Sequence, residues 1–255
     1  ATINLLDEKT FANSNVEYDI LIVGGLVFDG TGNPPFRSNI GIKGERIVSI
    51  GNTTGTAETI IEADDYIVTP GFIDVHTHCD LTFKRSGWKR HLVHFLPSFK
   101  GNYNYLYQGV TTVVTGNCGY GYTNVDWWLS TVDSVEFGTN VFHLCPHGAI
   151  RQELFGDKQP QSLTSKQLQL LKYRVEEAME MGAMGLSTGL EYYPGLAAST
   201  SELIELSRIV SKFGGVYVSH RRDQTGRLNK NGEFGTVATT REAVEIGRKA
   251  GIGVQ

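Results

Sequence analysis

The sequence lacks the features that mark membrane, nucleic-acid-binding and disulfide-rich proteins. Its apolar stretches fall well short of the ~20 residues that a membrane span needs. It has no lysine and arginine block, and a net charge of −4 gives no electrostatic footprint for nucleic acid or an anionic membrane. We therefore expect neither as a partner. The three cysteines are widely spaced and odd in number, which is unlike a disulfide framework. Both a cytoplasmic and a periplasmic or secreted location remain open.

The composition that is present is that of an ordinary globular α/β protein. The 255 residues are 40% hydrophobic and include 30 glycines, which suits one large domain or a domain and a half. Residues 1–16 are polar and aperiodic, and we interpret them as an N-terminal arm. Residues 17–69 contain short strand-like runs separated by Gly, Asn and Thr, which predicts a small β unit. Residues 70–255 alternate strands with helices, which favours βα units around a parallel sheet.

Three helices of this second part begin with a capping signal in which Ser or Thr precedes Glu or Gln by three residues. These signals are Thr164-x-x-Gln167, Ser199-x-x-Glu202 and Thr239-x-x-Glu242. Counting gives about five βα units and a sixth strand, whereas a closed eight-unit barrel takes roughly 250 residues. We therefore expect an incomplete barrel, either as a fragment or as one part that a second polypeptide completes.

Side chains that suit a metal ion follow several of the predicted strands. His76 and His78 end the apolar run after Pro70-Gly71, and alternate side chains of a strand share a face. Two imidazoles that converge in this way suit a transition metal such as zinc. Cys118 and His220 also stand at strand ends, where βα barrels carry their chemistry. The sequence thus predicts His76, His78, Cys118 and His220 as metal ligands.

Candidate substrate contacts follow the fourth and fifth strands. Ser187 and Tyr192 are placed to touch a substrate or a developing oxyanion, although a Tyr-Tyr-Pro loop also packs readily over a barrel mouth. Arg222 suits a substrate carboxylate, with a solvated loop arginine as the alternative. We expect supporting or packing roles for the remaining histidines considered, His91, His94, His143 and His147.

At these residues the sequence resembles the amidohydrolase superfamily and, within it, the N-acyl-D-amino-acid deacylases (D-aminoacylases). Pro70-Gly71-x-x-Asp74-x-His76-Thr77-His78 is the superfamily pattern, and Thr115-Gly116-Asn117-Cys118-Gly119 is the narrower deacylase pattern. Further stretches of sequence that match the family lie at residues 24–36, 109–114 and 182–190. The resemblance runs from about Tyr18 to the last residue and indicates the N-terminal part of such an enzyme.

The resemblance implies a metal-dependent hydrolase of the (β/α)8 TIM-barrel type with a small β-sandwich. It also implies one or two zinc ions, with His76 and His78 at one metal position and Cys118 with His220 at the other. Dihydroorotases and hydantoinases bridge two metals with a carboxylated lysine on the fourth strand. This chain has Ser187 and Thr188 there, so the cysteine-containing variant fits better.

The reaction that the resemblance implies is zinc-dependent hydrolysis of the amide bond of N-acyl-D-amino acids, which releases a carboxylate and a D-amino acid. The family's general-base aspartate is expected beyond residue 255, so no catalytic residue is assigned within this chain. Two alternatives remain open. One is another amidohydrolase activity, on cyclic amides or D-dipeptides, and the other is an inactive fragment that needs a second chain.

Overall fold

A computed structural model describes residues 18–84, 101–135 and 137–255. The chain divides into two compact units between Pro70 and Gly71. The expected N-terminal arm, residues 1–16, lies outside the described residues, as do His91 and His94. None of the described helices is long and apolar enough to cross a membrane.

The first unit contains a five-stranded sheet. Its strands run in the order β3-β2-β1-β4, and β5 pairs with β1. The bounds are β1 (Tyr18–Val27), β2 (Phe36–Lys43), β3 (Arg46–Gly51), β4 (Ala57–Glu62) and β5 (Ile67–Val68). Strand β1 runs through Gly24-Gly25 without a break, and its pairing with β2 shifts register between Ile22 and Gly25. Gly24 has φ 76°, a conformation that glycine adopts at little cost. The described part of this unit is one sheet, so the β-sandwich remains a prediction.

The second unit alternates parallel strands with helices, which confirms the α/β class. Its strands are β6 (Phe72–Asp74), β7 (Val110–Thr115), β8 (Asn140–His143), β9 (Cys145–Pro146), β10 (Gly185–Gly189), β11 (Val216–His220) and β12 (Gly253–Val254). Its helices are α1 (Tyr103–Leu106), α2 (Val125–Ser134), α3 (His147–Phe155), α4 (Ser165–Glu180), α5 (Thr200–Lys212) and α6 (Gly235–Ala250).

The strands of this unit follow one another in chain order. One parallel sheet has the order β6-β7-β8, and another contains β9 to β12 in sequence. Leu144, which separates β8 from β9, donates its N–H to Thr115 O at 2.9 Å, and Met184 donates to His143 O at 2.9 Å. Residues 140–146, which include β8 and β9, thus occupy the place of a single strand between β7 and β10. Because neighbouring parallel strands point the same way, their carboxyl ends share one edge.

The core of the second unit lies between the sheet and its helices. Leu171 of α4, Leu203 of α5 and Ile246 of α6 are fully buried and belong to the same apolar cluster as Leu186 and Tyr217 of the strands. Burying each such side chain contributes about 1.5–3 kcal/mol. This packing fixes the strands whose ends carry the candidate site.

Two of the three predicted capping signals begin helices. Thr164 and Gln167 form the complete reciprocal box at the start of α4. Ser199 caps α5 by accepting from the N–H of Glu202 at 3.2 Å, but the Glu202 side chain points elsewhere, as described below. The third prediction is wrong. Helix α6 begins at Gly235, and Thr239 lies one turn inside it. The Thr239 hydroxyl donates to Asp223 O at 2.7 Å, outside the helix, and Gly235 O lies 3.0 Å from the same hydroxyl.

Candidate metal centre

The four predicted metal ligands converge at the carboxyl ends of three strands. His76 and His78 follow β6, Cys118 follows β7, and His220 ends β11. Cys118 Sγ lies 3.3 Å from His76 Nε2 and 3.5 Å from His220 Nδ1. The ligand atoms of His76, His78 and Cys118 all lie within 4.8 Å of one another.

The spacing of these donor atoms fits a zinc ion. Zn–S bonds are about 2.3 Å and Zn–N bonds about 2.0–2.1 Å, so a sulfur and a nitrogen on one tetrahedral zinc lie about 3.5 Å apart. Both contacts of Cys118 Sγ have this length. A thiol among imidazoles is also a donor set that zinc accepts readily. Cys118 therefore lies where it could bind one ion together with His76, one ion together with His220, or two ions, one with each histidine.

Cys118 sits on a sharp turn with left-handed backbone. Gly116, Cys118 and Gly119 have φ values of 77°, 57° and 72°. The two glycines adopt this conformation freely, whereas a residue with a Cβ pays about 1–2 kcal/mol. Such a conformation persists only where the surroundings impose it. The glycines of the Thr-Gly-Asn-Cys-Gly pattern thus allow the left-handed backbone of this turn, and its cysteine supplies the thiol.

Hydrogen bonds hold this turn at each of its residues. The Ser187 hydroxyl donates to Gly116 O and accepts from the N–H of Gly119 at 3.1 Å. Asn117 Nδ2 donates to Val114 O at 3.0 Å and to Thr77 O at 3.3 Å. The Tyr192 hydroxyl donates to Cys118 O at 2.9 Å.

The surroundings of His78 favour its neutral imidazole. Burial lowers the pKa of His78, and the nearby His76 and His220 lower it further. A lowered pKa keeps the imidazole in the neutral form that binds metals. Burial raises the pKa of the Cys118 thiol, against which a hydrogen bond from Tyr192 lowers it. A bound cation would favour the thiolate.

Two residues that the sequence analysis did not single out contribute to the cluster. Glu191 Oε2 lies 2.8 Å from His220 Nε2. The Tyr120 ring stacks on Tyr192, with centroids 5.2 Å apart and planes at 12°, and Tyr192 meets the His220 ring edge-on at 5.1 Å. The position of Glu191, directly before Tyr192 on the loop after β10, is the sequence signal that points to it.

The structure brings Tyr192 to the cluster but engages the other two predicted substrate contacts elsewhere. Ser187 is fully buried, and both of its hydrogen bonds go to the cysteine turn. Arg222 Nε lies 3.0 Å from both carboxylate oxygens of Glu242, and its other nitrogens donate to Leu196 O and Ala198 O. Its guanidinium thus ties the loop after β10 to α6.

His143 and His147 make buried structural contacts away from the metal donors. His143 Nδ1 lies 2.7 Å from Thr115 Oγ1, and its Nε2 lies 3.0 Å from Tyr122 O. His147 Nε2 lies 2.9 Å from Glu202 Oε1. His143 therefore supports the ends of β7 and β8, and His147 joins α3 to α5.

Comparison with known proteins gives consistent relatives. No protein-family model matches the chain. A D-aminoacylase of Alcaligenes xylosoxydans xylosoxydans is 30% identical over 261 residues, which cover 93% of this chain and 49% of that protein. An N-acyl-D-glutamate deacylase from Bordetella bronchiseptica, solved with zinc and a phosphonate inhibitor, matches with a TM-score of 0.77 at 31% identity, covering 94% of this chain and 51% of that chain.

A solved D-aminoacylase, described as defining a novel subset of amidohydrolases, matches with a TM-score of 0.77 at 28% identity and covers 93% of this chain and 50% of that chain. The chain spans about half the length of the curated relatives it matches. Parallel strands with histidine and cysteine donors at their carboxyl ends, together with these matches, place the chain in the amidohydrolase superfamily. Within that superfamily, the chain belongs to the N-acyl-D-amino-acid deacylase, or D-aminoacylase, family. The family prediction is confirmed, whereas no finding supports a second polypeptide.

Proposed function

We propose that this protein is a zinc-dependent hydrolase of the amide bond of N-acyl-D-amino acids, with a carboxylate and a D-amino acid as products. The observation that carries the proposal is the position of Cys118 Sγ, at 3.3 Å from His76 Nε2 and 3.5 Å from His220 Nδ1. The substrate class, N-acyl-D-amino acids, is taken from the relatives, which are a D-aminoacylase and an N-acyl-D-glutamate deacylase.

In this proposal His76, His78, Cys118 and His220 hold one or two zinc ions. Zinc at this position supplies Lewis acidity and lowers the pKa of water. The fourth strand carries Ser187 and Thr188, both fully buried, and no lysine that could be carboxylated, so Cys118 would supply the donor that such a lysine supplies elsewhere. We assign no general base among the described residues.

We assign Tyr192 to contact with the substrate. Burial is the largest of the effects that raise the pKa of its phenol, so the hydroxyl stays protonated at neutral pH and acts as a donor. Packing between Tyr120 and His220 holds the ring beside the metal donors. The backbone oxygen of Cys118, which now accepts from this hydroxyl, marks where a substrate oxygen would compete. We assign Ser187 and Arg222 to support of the surrounding loops.

A panel of matched substrates tests the proposal. N-acetyl amino acids of both hands, a hydantoin and a D-dipeptide are assayed with the purified protein as isolated, after chelation, and after zinc is returned. We expect hydrolysis of the N-acetyl-D-amino acids alone, lost on chelation and restored by zinc. Preferential hydrolysis of the hydantoin or dipeptide, or activity that survives complete zinc removal, would refute the proposal.

Two cysteine variants provide a matched pair for the same assay. Cys118→Ser removes the thiolate donor, so we expect loss of bound zinc and of activity. Cys145→Ala removes a thiol that is fully buried in the apolar cluster, where burial raises its pKa to about 12. This second variant should retain zinc, and loss of zinc from both variants alike would show that the effect is not specific to Cys118.

A further inference from the structure

A carboxylate contacts His220 on the side of the ring opposite Cys118. Glu191 Oε2 lies 2.8 Å from His220 Nε2, whereas His220 Nδ1 lies 3.5 Å from Cys118 Sγ. A neutral imidazole has one N–H and one lone pair, and a carboxylate only accepts hydrogen bonds. The contact therefore assigns the proton to Nε2 and leaves the lone pair of Nδ1 facing Cys118.

We infer that Glu191 is a positioning residue that fixes the Nε2–H tautomer of His220 and holds its Nδ1 towards the metal beside Cys118. This inference rests on the proposed zinc function but concerns a residue outside the donor set. A carboxylate behind a metal-bound histidine fixes the ring and raises its basicity as a ligand. Glu191 would thus act on the metal only through His220.

The backbone places Glu191 beside His220 without help from a flexible segment. Gly189 of β10 pairs in register with His220 of β11. Leu190 then donates its N–H to His220 O at 2.9 Å. The residue that follows is Glu191, so its side chain starts next to the imidazole. The ring of Tyr192 packs edge-on against the same imidazole at 62°, which restricts its rotation.

The surroundings of Glu191 favour this role over pairing with a basic residue. Among the described residues, its one recorded ion pair is with His220. Arg222, two residues beyond His220, is already paired with Glu242. The Glu191 side chain is 46% exposed, so water can satisfy its remaining acceptor positions. Holding the carboxylate at His220 therefore carries little desolvation penalty.

Histidine-¹⁵N NMR on the metal-free protein tests the tautomer directly, well above the ordinary imidazole pKa of about 6.5. We expect the Nε2–H form of His220 in the wild type and in Glu191→Gln, whose amide oxygen still accepts the bond. In Glu191→Ala we expect a mixture of both tautomers. The control is Glu245→Ala, which removes an exposed carboxylate that pairs with Lys249 on α6, and its His220 should match the wild type.

Zinc affinity, measured by competition with a chromophoric chelator, gives a second readout that needs no substrate. We expect Glu191→Ala to weaken zinc binding about 10–100-fold, within the usual range for partners of metal ligands. Glu191→Gln should weaken it less, and Glu245→Ala should leave it unchanged. Folding of each variant is checked by circular dichroism.

The outcomes separate this inference from the proposed function. Unchanged tautomer and unchanged zinc affinity in Glu191→Ala, with zinc lost in His220→Ala, would overturn the role of Glu191 and leave the deacylase proposal standing. A wild-type protein that holds no zinc at Cys118 would overturn both. Zinc bound as expected in a protein that fails the substrate panel would overturn the proposed function alone.

Discussion

Ser187 lies in β10, two residues before its carboxyl end, yet its hydroxyl bonds to the cysteine turn. The strand pattern predicts that Ser187 ends its strand, whereas β10 continues to Gly189. The pattern does not reveal that the side chain is enclosed by the turn at Gly116 and Gly119, because that turn comes from a strand about 70 residues earlier. Arg222 shows the same limit, since its partner Glu242 lies on the following helix.

We predict that Ser187→Ala lowers the free energy of unfolding by about 1–3 kcal/mol, because Gly116 O and the Gly119 N–H lose a buried partner. Zinc binding should weaken as well, since Cys118 lies between those two glycines. Denaturant unfolding and zinc titration measure both effects. Ser134→Ala, which removes an exposed hydroxyl at the end of α2, is the control and should stay within about 0.5 kcal/mol of wild type. A Ser187→Ala variant with normal stability and only a raised KM would instead favour substrate contact.

Helices α3 and α5 are joined by a buried charged network. Glu202 of α5 accepts from Arg151 Nη1 at 2.6 and 2.7 Å and lies 2.9 Å from His147 Nε2. All three residues are at least 95% buried. This network explains why the capping box expected at Ser199 is only half formed, because the Glu202 carboxylate is used here. A sequence pattern shows the spacing of a cap but not a competing buried partner.

We predict that Glu202→Gln destabilises the protein by about 3–5 kcal/mol, because it leaves the buried Arg151 guanidinium without its counter-charge. Glu205→Gln, on the same helix, is the matched control. Its carboxylate is 33% exposed and pairs with surface cations, so the change should cost less than about 1 kcal/mol. Equal effects of the two substitutions on denaturant unfolding would contradict the importance of the buried network.

The same network predicts a pH dependence of stability. Burial raises the pKa of Glu202, but His147 and Arg151 together outweigh burial and hold that pKa below its ordinary value. A depressed folded-state pKa stabilises the protein above the unfolded pKa of about 4.3 and loses that contribution as pH falls through the folded value. The stability difference between wild type and Glu202→Gln should therefore shrink below about pH 4.3. A difference that grows or stays constant in acid would contradict this assignment.

At the scale of the whole molecule, the family and the α/β class could be predicted because their signals are local. His76-Thr77-His78 and the Gly-rich cysteine turn each lie within a few residues of sequence, and strands alternate visibly with helices. The contacts of Glu191, Ser187 and Arg222 could not be predicted, since each depends on how loops from different strands meet. The start of α6 was misplaced for a related reason, because the Thr239 hydroxyl donates to Asp223 O on the loop after β11 and does not cap the helix.

Zinc should stabilise the folded protein as a whole, because an ion bound only by the native state shifts the unfolding equilibrium. At free zinc of 100 times the dissociation constant, the expected gain is about 2.7 kcal/mol. Calorimetry with and without chelator measures it as a change in Tm. Cys118→Ala should abolish the zinc-dependent part, whereas Cys145→Ala should retain it. A Tm that does not respond to zinc in the wild type would argue against a native zinc site.

Zinc K-edge X-ray absorption of the zinc-loaded protein tests the metal centre most directly. With Cys118, His76 and His220 as donors, we predict a sulfur shell at about 2.3 Å together with imidazole nitrogens at about 2.0–2.1 Å. Any zinc that Cys118→Ser still holds should show no sulfur shell, whereas Cys145→Ala should keep the sulfur shell. A wild-type spectrum with nitrogen and oxygen shells alone would contradict the cysteine-centred zinc site.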